Sequence, residues 1–200
     1  DIIAVCDHNH TGNLKAVSEL AKAEGILLIP GLELETSEEV HLLCYFSSLN
    51  SILQLQSELN RHYQYIPNRE DIFGPQWILD EKDEPQEKID FLLTASANLD
   101  LYQAVSLIRS FGGVPVPAHV DRESYSILSN LGSVPQDLSL NTLELSRHAA
   151  QVRFVQEHPE YAEKKFITSS DAHDLGMILE RSAFFELEEL SAACLIDKLK

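Results

Sequence analysis

Short apolar runs and amphipathic helical patterns take turns along the whole chain, and that alternation limits the fold more than any other feature. Runs that read as strands lie at residues 2–6, 26–29, 41–46, 114–117, 142–145, 166–168 and 183–187. Most are continuous rather than alternating, as in parallel strands covered on both faces. Helical patterns fill the intervals. In the first, Leu14, Val17, Leu20 and Ala21 form an apolar stripe, Thr11 or Asn13 is the expected cap, and Gly25 ends it. Further helices are expected at 49–63, 101–111 (with Asp100 as cap), 124–131, 149–157 and 190–199. Strand and helix alternating on this scale point to an α/β barrel.

The 200 residues suffice for one domain with a large core, read as 1–200. An irregular excursion at about 64–98 interrupts the pattern. It holds Pro67, Pro75 and Pro85 with Phe73 and Trp77, and a mostly acidic run at 80–84 suits a small hairpin around 81–83. It reads as a surface loop in preference to a substrate lid. No run of about 18 apolar residues offers a membrane span, and no basic start marks a signal peptide. The chain lacks an initiator Met and opens almost at once into a strand, so it is expected to begin inside a domain. Cys6, Cys44 and Cys194 lie in apolar runs without CxxC spacing, which suits buried free thiols in a reducing, cytoplasmic setting. The formal charge of -17 argues against a nucleic-acid polymer as partner and leaves room for a small phosphorylated substrate.

The chemistry lies at strand ends, where an α/β barrel gathers function. His8 follows the first run, Glu33 follows the second after Pro30-Gly31, His119 follows the run at 114–117, and Asp171 and His173 follow the run at 166–168. His41 differs, because it opens its strand. Imidazoles and carboxylates together suit zinc, manganese or iron. A bridging carboxylate such as Glu33 or Asp171 can hold two metals and prepare a displacement at phosphorus. Asp7 is placed to orient His8, and His10 either caps the first helix or lines the site. Arg122, Arg147 and Arg181 lie downstream of strand ends and are the candidate phosphate-binding residues. His62, His148 and His158 read as surface or satisfied core residues.

In order, Asp7-His8-Asn9, Gly31-Leu32-Glu33, His41-Leu42-Leu43-Cys44-Tyr45, Ala118-His119 and Ser170-Asp171-Ala172-His173 resemble the motifs of the PHP (polymerase and histidinol phosphatase) superfamily. The resemblance covers essentially the whole chain. It implies a distorted (βα)7 TIM-like barrel with the first strand missing from this sequence, and two or three divalent metal ions. It implies metal-ligand roles for His8, Glu33, His41, His119, Asp171 and His173, with Glu33 a bridge, and catalytic duty for Asp7, His8 and Asp171. The activity implied is hydrolysis of a small phosphorylated metabolite or nucleotide by a metal-bound hydroxide, as in stand-alone phosphoesterases. The family's opening His-x-His element has no counterpart here, and Cys6 stands where its Thr would be. That departure motivates the alternative of a non-catalytic metal-binding or interaction domain. A nuclease is the weaker alternative.

Overall fold

In the computed structural model, which describes residues 1–200, the apolar runs form two separate sheets. The larger has the order β1-β2-β3-β6, built from β1 (Ile2–Val5), β2 (Leu27–Glu35), β3 (His41–Tyr45) and β6 (Val114–Pro117). The smaller pairs β7 (Thr142–Leu145) with β8 (Lys165–Thr168). β1 runs parallel to β2, and β7 parallel to β8, but β3 runs antiparallel to both of its neighbours.

This corrects the expectation of an all-parallel set of strands. Only residues 36–40 join β2 to β3, too few for a crossover, so the two strands must form a hairpin. β6 and β7 share no strand ladder, and no closed barrel is found. Residues 183–187 form no strand. Phe184 is 80% exposed, and the segment has no neighbour with which to pair.

β2 is also longer than its apolar run. It continues through Pro30-Gly31 to Glu35 because it changes partner there: residues 27–30 pair with β1 and residues 31–35 with β3. Pro30, which has no N–H to give, falls at the changeover. Gly31 is required by close approach, since a Cβ there would sit 2.5 Å from the Cys6 sulfur.

Helices cover the sheet. α1 (Leu14–Ala23) buries Leu14 and Ala21. Neither predicted cap operates there: Asn13 occupies the N-cap position but its side chain bonds elsewhere, donating to Asp7 Oδ2 (2.9 Å) and accepting from the Leu79 N–H (2.9 Å). α2 (Leu49–Leu59) buries Ile52, Leu55 and Leu59. The excursion holds a short turn of helix, α3 (Glu70–Phe73), and the expected hairpin, β4 (Gln76–Leu79) with β5 (Pro85–Ile89). α4 (Leu101–Ser110) is capped by Asp100 in a reciprocal box with Gln103. α5 (Ile127–Leu131), α6 (Gln151–Glu157) and α7 (Ala192–Leu199) are shorter than their sequence patterns. None of the helices is long and apolar enough to cross a membrane.

Alternate residues of β3 enter two cores. Leu42 and Cys44 join Leu32, Leu34, Phe46 and the inner faces of α2 and α4, while Leu43 and Tyr45 join Ile29, Val114, Val116 and α7. All three thiols are free; Cys44 is buried, and Cys6 and Cys194 are half-buried.

Candidate metal centre

The reversal of β3 explains why His41 opens its strand. Its first residue lies beside the last residue of β2 (Glu35 opposite His41) and next to the end of β6 (Leu42 opposite Pro117). The loop after β1 enters the same corner, where His8 bridges to Glu33. Four sequence-distant side chains therefore meet at one end of the sheet.

Glu33 is their hub. Its Oε1 lies 3.0 Å from His41 Nδ1 and 3.3 Å from His119 Nε2, and its Oε2 lies 3.3 Å from His8 Nδ1. Glu35, two residues along the same strand face, lies 3.4 Å from His41 Nε2. Glu33, Glu35, His41 and His119 are buried, and His8 is half-buried. The loop after β1 is pinned by Asn9, 1% exposed. Its side chain accepts from the Glu35 N–H (2.9 Å) and donates to the Leu93 and Ala95 carbonyls of the excursion. Tyr125 stacks on His41 at 4.9 Å and takes the His41 N–H on its carbonyl.

The electrostatics are those of a cation site. Burial disfavours the charged form of Glu33, but hydrogen bonds from His119 and His41 outweigh it and hold the carboxyl well below the usual range. Burial likewise opposes an imidazolium at His41, yet its hydrogen bond with Glu33 and the close negative charge of Glu33 and Glu35 lift it to about 9. For His8, burial prevails and lowers the value. Three buried ring nitrogens lack a well-formed hydrogen bond: His119 Nδ1 has no partner, while His8 Nδ1 and His41 Nε2 only approach carboxylate oxygens, at 3.3 and 3.4 Å. Buried polar atoms are rarely left so. Ligand atoms of His8, Glu33 and His41 lie within 4.8 Å of one another, so the residues fit a divalent ion.

A pH response follows for the metal-free chain. His41 titrates at about 9 when folded, against an ordinary 6.5, so its contribution to stability is complete below about 6.5 and lost as pH rises through about 9. Glu33 has the opposite sense, contributing above the usual carboxylate range and losing that contribution on acidification. Urea unfolding of the chelator-stripped chain is expected to show stability falling between pH 6.5 and 9. Saturating manganese should reverse that slope, because metal competes with the His41 proton.

The remaining predicted residues lie at the rim or outside. Asp171, with φ +46°, accepts an ion pair from Arg122, and His173 is mostly exposed with its ring 6.3 Å from that of His8. Arg147 donates to the Met177 carbonyl and to His148, and the structure gives Arg181 an exposed position with φ +49°. Asp7 does not orient the His8 ring; its carboxylate takes the Asn13 amide. His10 accepts the Gly12 N–H within its own turn, at 3.0 Å. Glu35, Tyr125 and Glu144 escaped the sequence reading, and Asn9 entered it only as part of a motif, with no role. Glu35 was within reach, for a strand carried past Gly31 places residues 33 and 35 on one face.

No family model matches the sequence, and no curated protein matches it. Solved structures do share its fold. The lesion-specific endonuclease PfuEndoQ from Pyrococcus furiosus is similar over 99% of this chain and 47% of its own, with TM-score 0.64 and 16% identity. A protein from Bifidobacterium adolescentis assigned as a metal-dependent phosphoesterase is similar over 98% of this chain and 85% of its own, with TM-score 0.56 and 14% identity. Endonuclease Q bound to a 27-mer duplex with an abasic lesion at its active site is similar over 86% of this chain and 40% of its own, with TM-score 0.55 and 16% identity. This chain thus spans about half the length of the endonuclease it matches. The likeness overturns the expectation that a charge of -17 makes a nucleic-acid polymer an unlikely partner. Net charge is a sum over the whole surface, whereas bound cations set the field at a site of this kind. This chain has the fold of the polymerase and histidinol phosphatase superfamily, to which both the endonuclease and the phosphoesterase belong.

Proposed function

We propose that this chain is a metal-dependent phosphoester hydrolase. The observation that carries the reading is Glu33, a buried carboxylate in contact with three imidazoles. His8, Glu33, His41 and His119 would hold divalent ions, with Asp171 and His173 completing the set from the rim. Manganese, zinc and iron suit such donors. Ions bound there would supply a water of lowered pKa and neutralise charge developing on the phosphoryl oxygens.

The chain's own residues do the rest. Glu33 fixes the orientation of the three rings around it, and Glu35 holds the far nitrogen of His41. Tyr125 covers one face of His41 and keeps water from it. Arg122, paired through one terminal nitrogen with Asp171, keeps further N–H groups for the oxygens of an incoming phosphate. Arg147 and Arg181 would assist from their own loops.

Two substrate classes fit this chemistry: small phosphorylated metabolites or nucleotides, and phosphodiesters within nucleic acid. The match to the endonuclease over 99% of this chain favours testing the second beside the first. The chelator-stripped chain, resupplied with manganese, zinc or iron, should be assayed against phosphate monoesters, nucleotides and an abasic-lesion duplex. Metal-dependent turnover on at least one substrate, abolished by His119→Ala, is expected. Metal binding without turnover on any of them would instead identify a non-catalytic metal-binding domain.

A further inference from the structure

The two sheets meet at a seam that has no strand ladder, and the residues nearest the site lie along it. β6 ends at Pro117, His119 follows with φ +29°, and β7 runs alongside. Such a backbone conformation is costly for a residue with a side chain and persists only where its surroundings hold it. Glu144, in the middle of β7, is 4% exposed. Its Oε2 accepts the His119 N–H at 3.0 Å, and its backbone carbonyl accepts the Val120 N–H at 2.9 Å. Its Oε1 accepts the Ser169 hydroxyl in a short hydrogen bond. Ser169 begins the loop that carries Asp171 and His173, and Asp171 also has positive φ. Asp121 repeats the device in the other direction: its carboxylate takes the Ser146 N–H (2.7 Å) and hydroxyl (2.6 Å) just beyond β7.

A carboxylate in the middle of a buried strand is expensive, and burial raises its pKa. An apolar residue there would pack at lower cost. What an apolar residue lacks is two polar atoms on one side chain, each able to hydrogen-bond a different loop.

We propose that Glu144 is a positioning residue that ties the His119 turn to the Asp171–His173 loop, setting the spacing of ligands contributed from opposite sides of the seam. It touches neither substrate nor metal, and acts through the backbone of one ligand-bearing turn and the side chain of the other. The proposal rests on the metal-dependent reading above.

The test uses the full chain, manganese(II) as the probe, and the variants Glu144→Ala, Glu144→Gln and Ser169→Ala. Glutamine keeps both ties, since its amide oxygen accepts the His119 N–H and its amide N–H₂ donates to Ser169. Alanine loses both. The expected result is manganese affinity reduced about tenfold or more in Glu144→Ala, with kcat lowered and KM little changed, and both largely restored in Glu144→Gln. Wild-type affinity and kcat in Glu144→Ala would overturn the proposal, as would equal loss in the alanine and glutamine variants. Should Glu144→Ala not fold, Ser169→Ala decides: several-fold weaker manganese binding supports the tie, and unchanged binding overturns it. Amide exchange at His119 is read on the metal-free chain and is independent of any hydrolysis. It is expected to be faster in Ser169→Ala than in wild type and faster again in Glu144→Ala, while Glu144→Gln stays close to wild type; equal rates throughout would overturn the tie. Absence of esterase activity in the wild type would sink the hydrolase reading while leaving this exchange result intact.

Discussion

Glu33→Gln is expected to abolish tight manganese binding and to lower metal-dependent hydrolysis by about a thousandfold, equivalent to roughly 4 kcal/mol of transition-state stabilisation. The substitution preserves shape and volume, so its effect reports charge. Three imidazoles contact this one carboxylate, at 3.0, 3.3 and 3.3 Å. The amide would present a neutral oxygen to a divalent ion and place an N–H₂ group against the rings, where two donors face each other. In the metal-free chain the same change removes the partner that holds His41 at about 9, so the fall in stability between pH 6.5 and 9 should also flatten. Activity lost with an unchanged pH response would mean that the pairing seen around His41 is not what controls its charge.

The second large effect lies in the core. Phe46, 1% exposed, lies directly beneath Gly113: a Cβ added to that glycine would sit 2.3 Å from the Phe46 ring. Phe46→Ala should cost about 3–5 kcal/mol, from lost burial and the cavity left behind. Gly113→Ala should cost about 1–3 kcal/mol by overpacking, because the ring must shift between the sheet and its helices. Together they should be less harmful than the sum, since the new methyl enters the space the ring vacates. A favourable coupling of at least about 1 kcal/mol is expected from urea unfolding of the two single variants and the double. Strict additivity would show that the ring and the glycine are not in contact in solution.

Much of the site was legible because strand-end polar residues stand out against apolar runs. His8, Glu33, His41 and His119 are each flagged in that way, and all four converge. His41 makes sense only once its strand is reversed, and the short link after Glu35 forces that reversal. Pro30-Gly31 reads locally as a turn, yet it is the point at which β2 exchanges β1 for β3. That long-range pairing hid Glu35. Glu144 was hidden for a different reason. It sits among Thr142, Leu143 and Leu145 in a fully buried strand, where local pattern offers no motive for a carboxylate, and its partners lie 25 residues away on either side. The run at 183–187 shows the converse error: its phenylalanines have strand composition, but no neighbour supplies the hydrogen bonds that make a strand. Closure into a barrel is not confirmed, since it depends on how β6 and β7 approach one another rather than on either sequence.

The central claim is that the cluster around Glu33 is a metal centre. Its most direct test is manganese titration of the chelator-stripped chain, followed by calorimetry, beside Glu33→Gln shown by circular dichroism to be folded. Saturable, stoichiometric binding in the wild type and its loss in the variant is the predicted result. Wild-type chain that takes up no stoichiometric metal, or a variant that binds as well as the wild type, would contradict it.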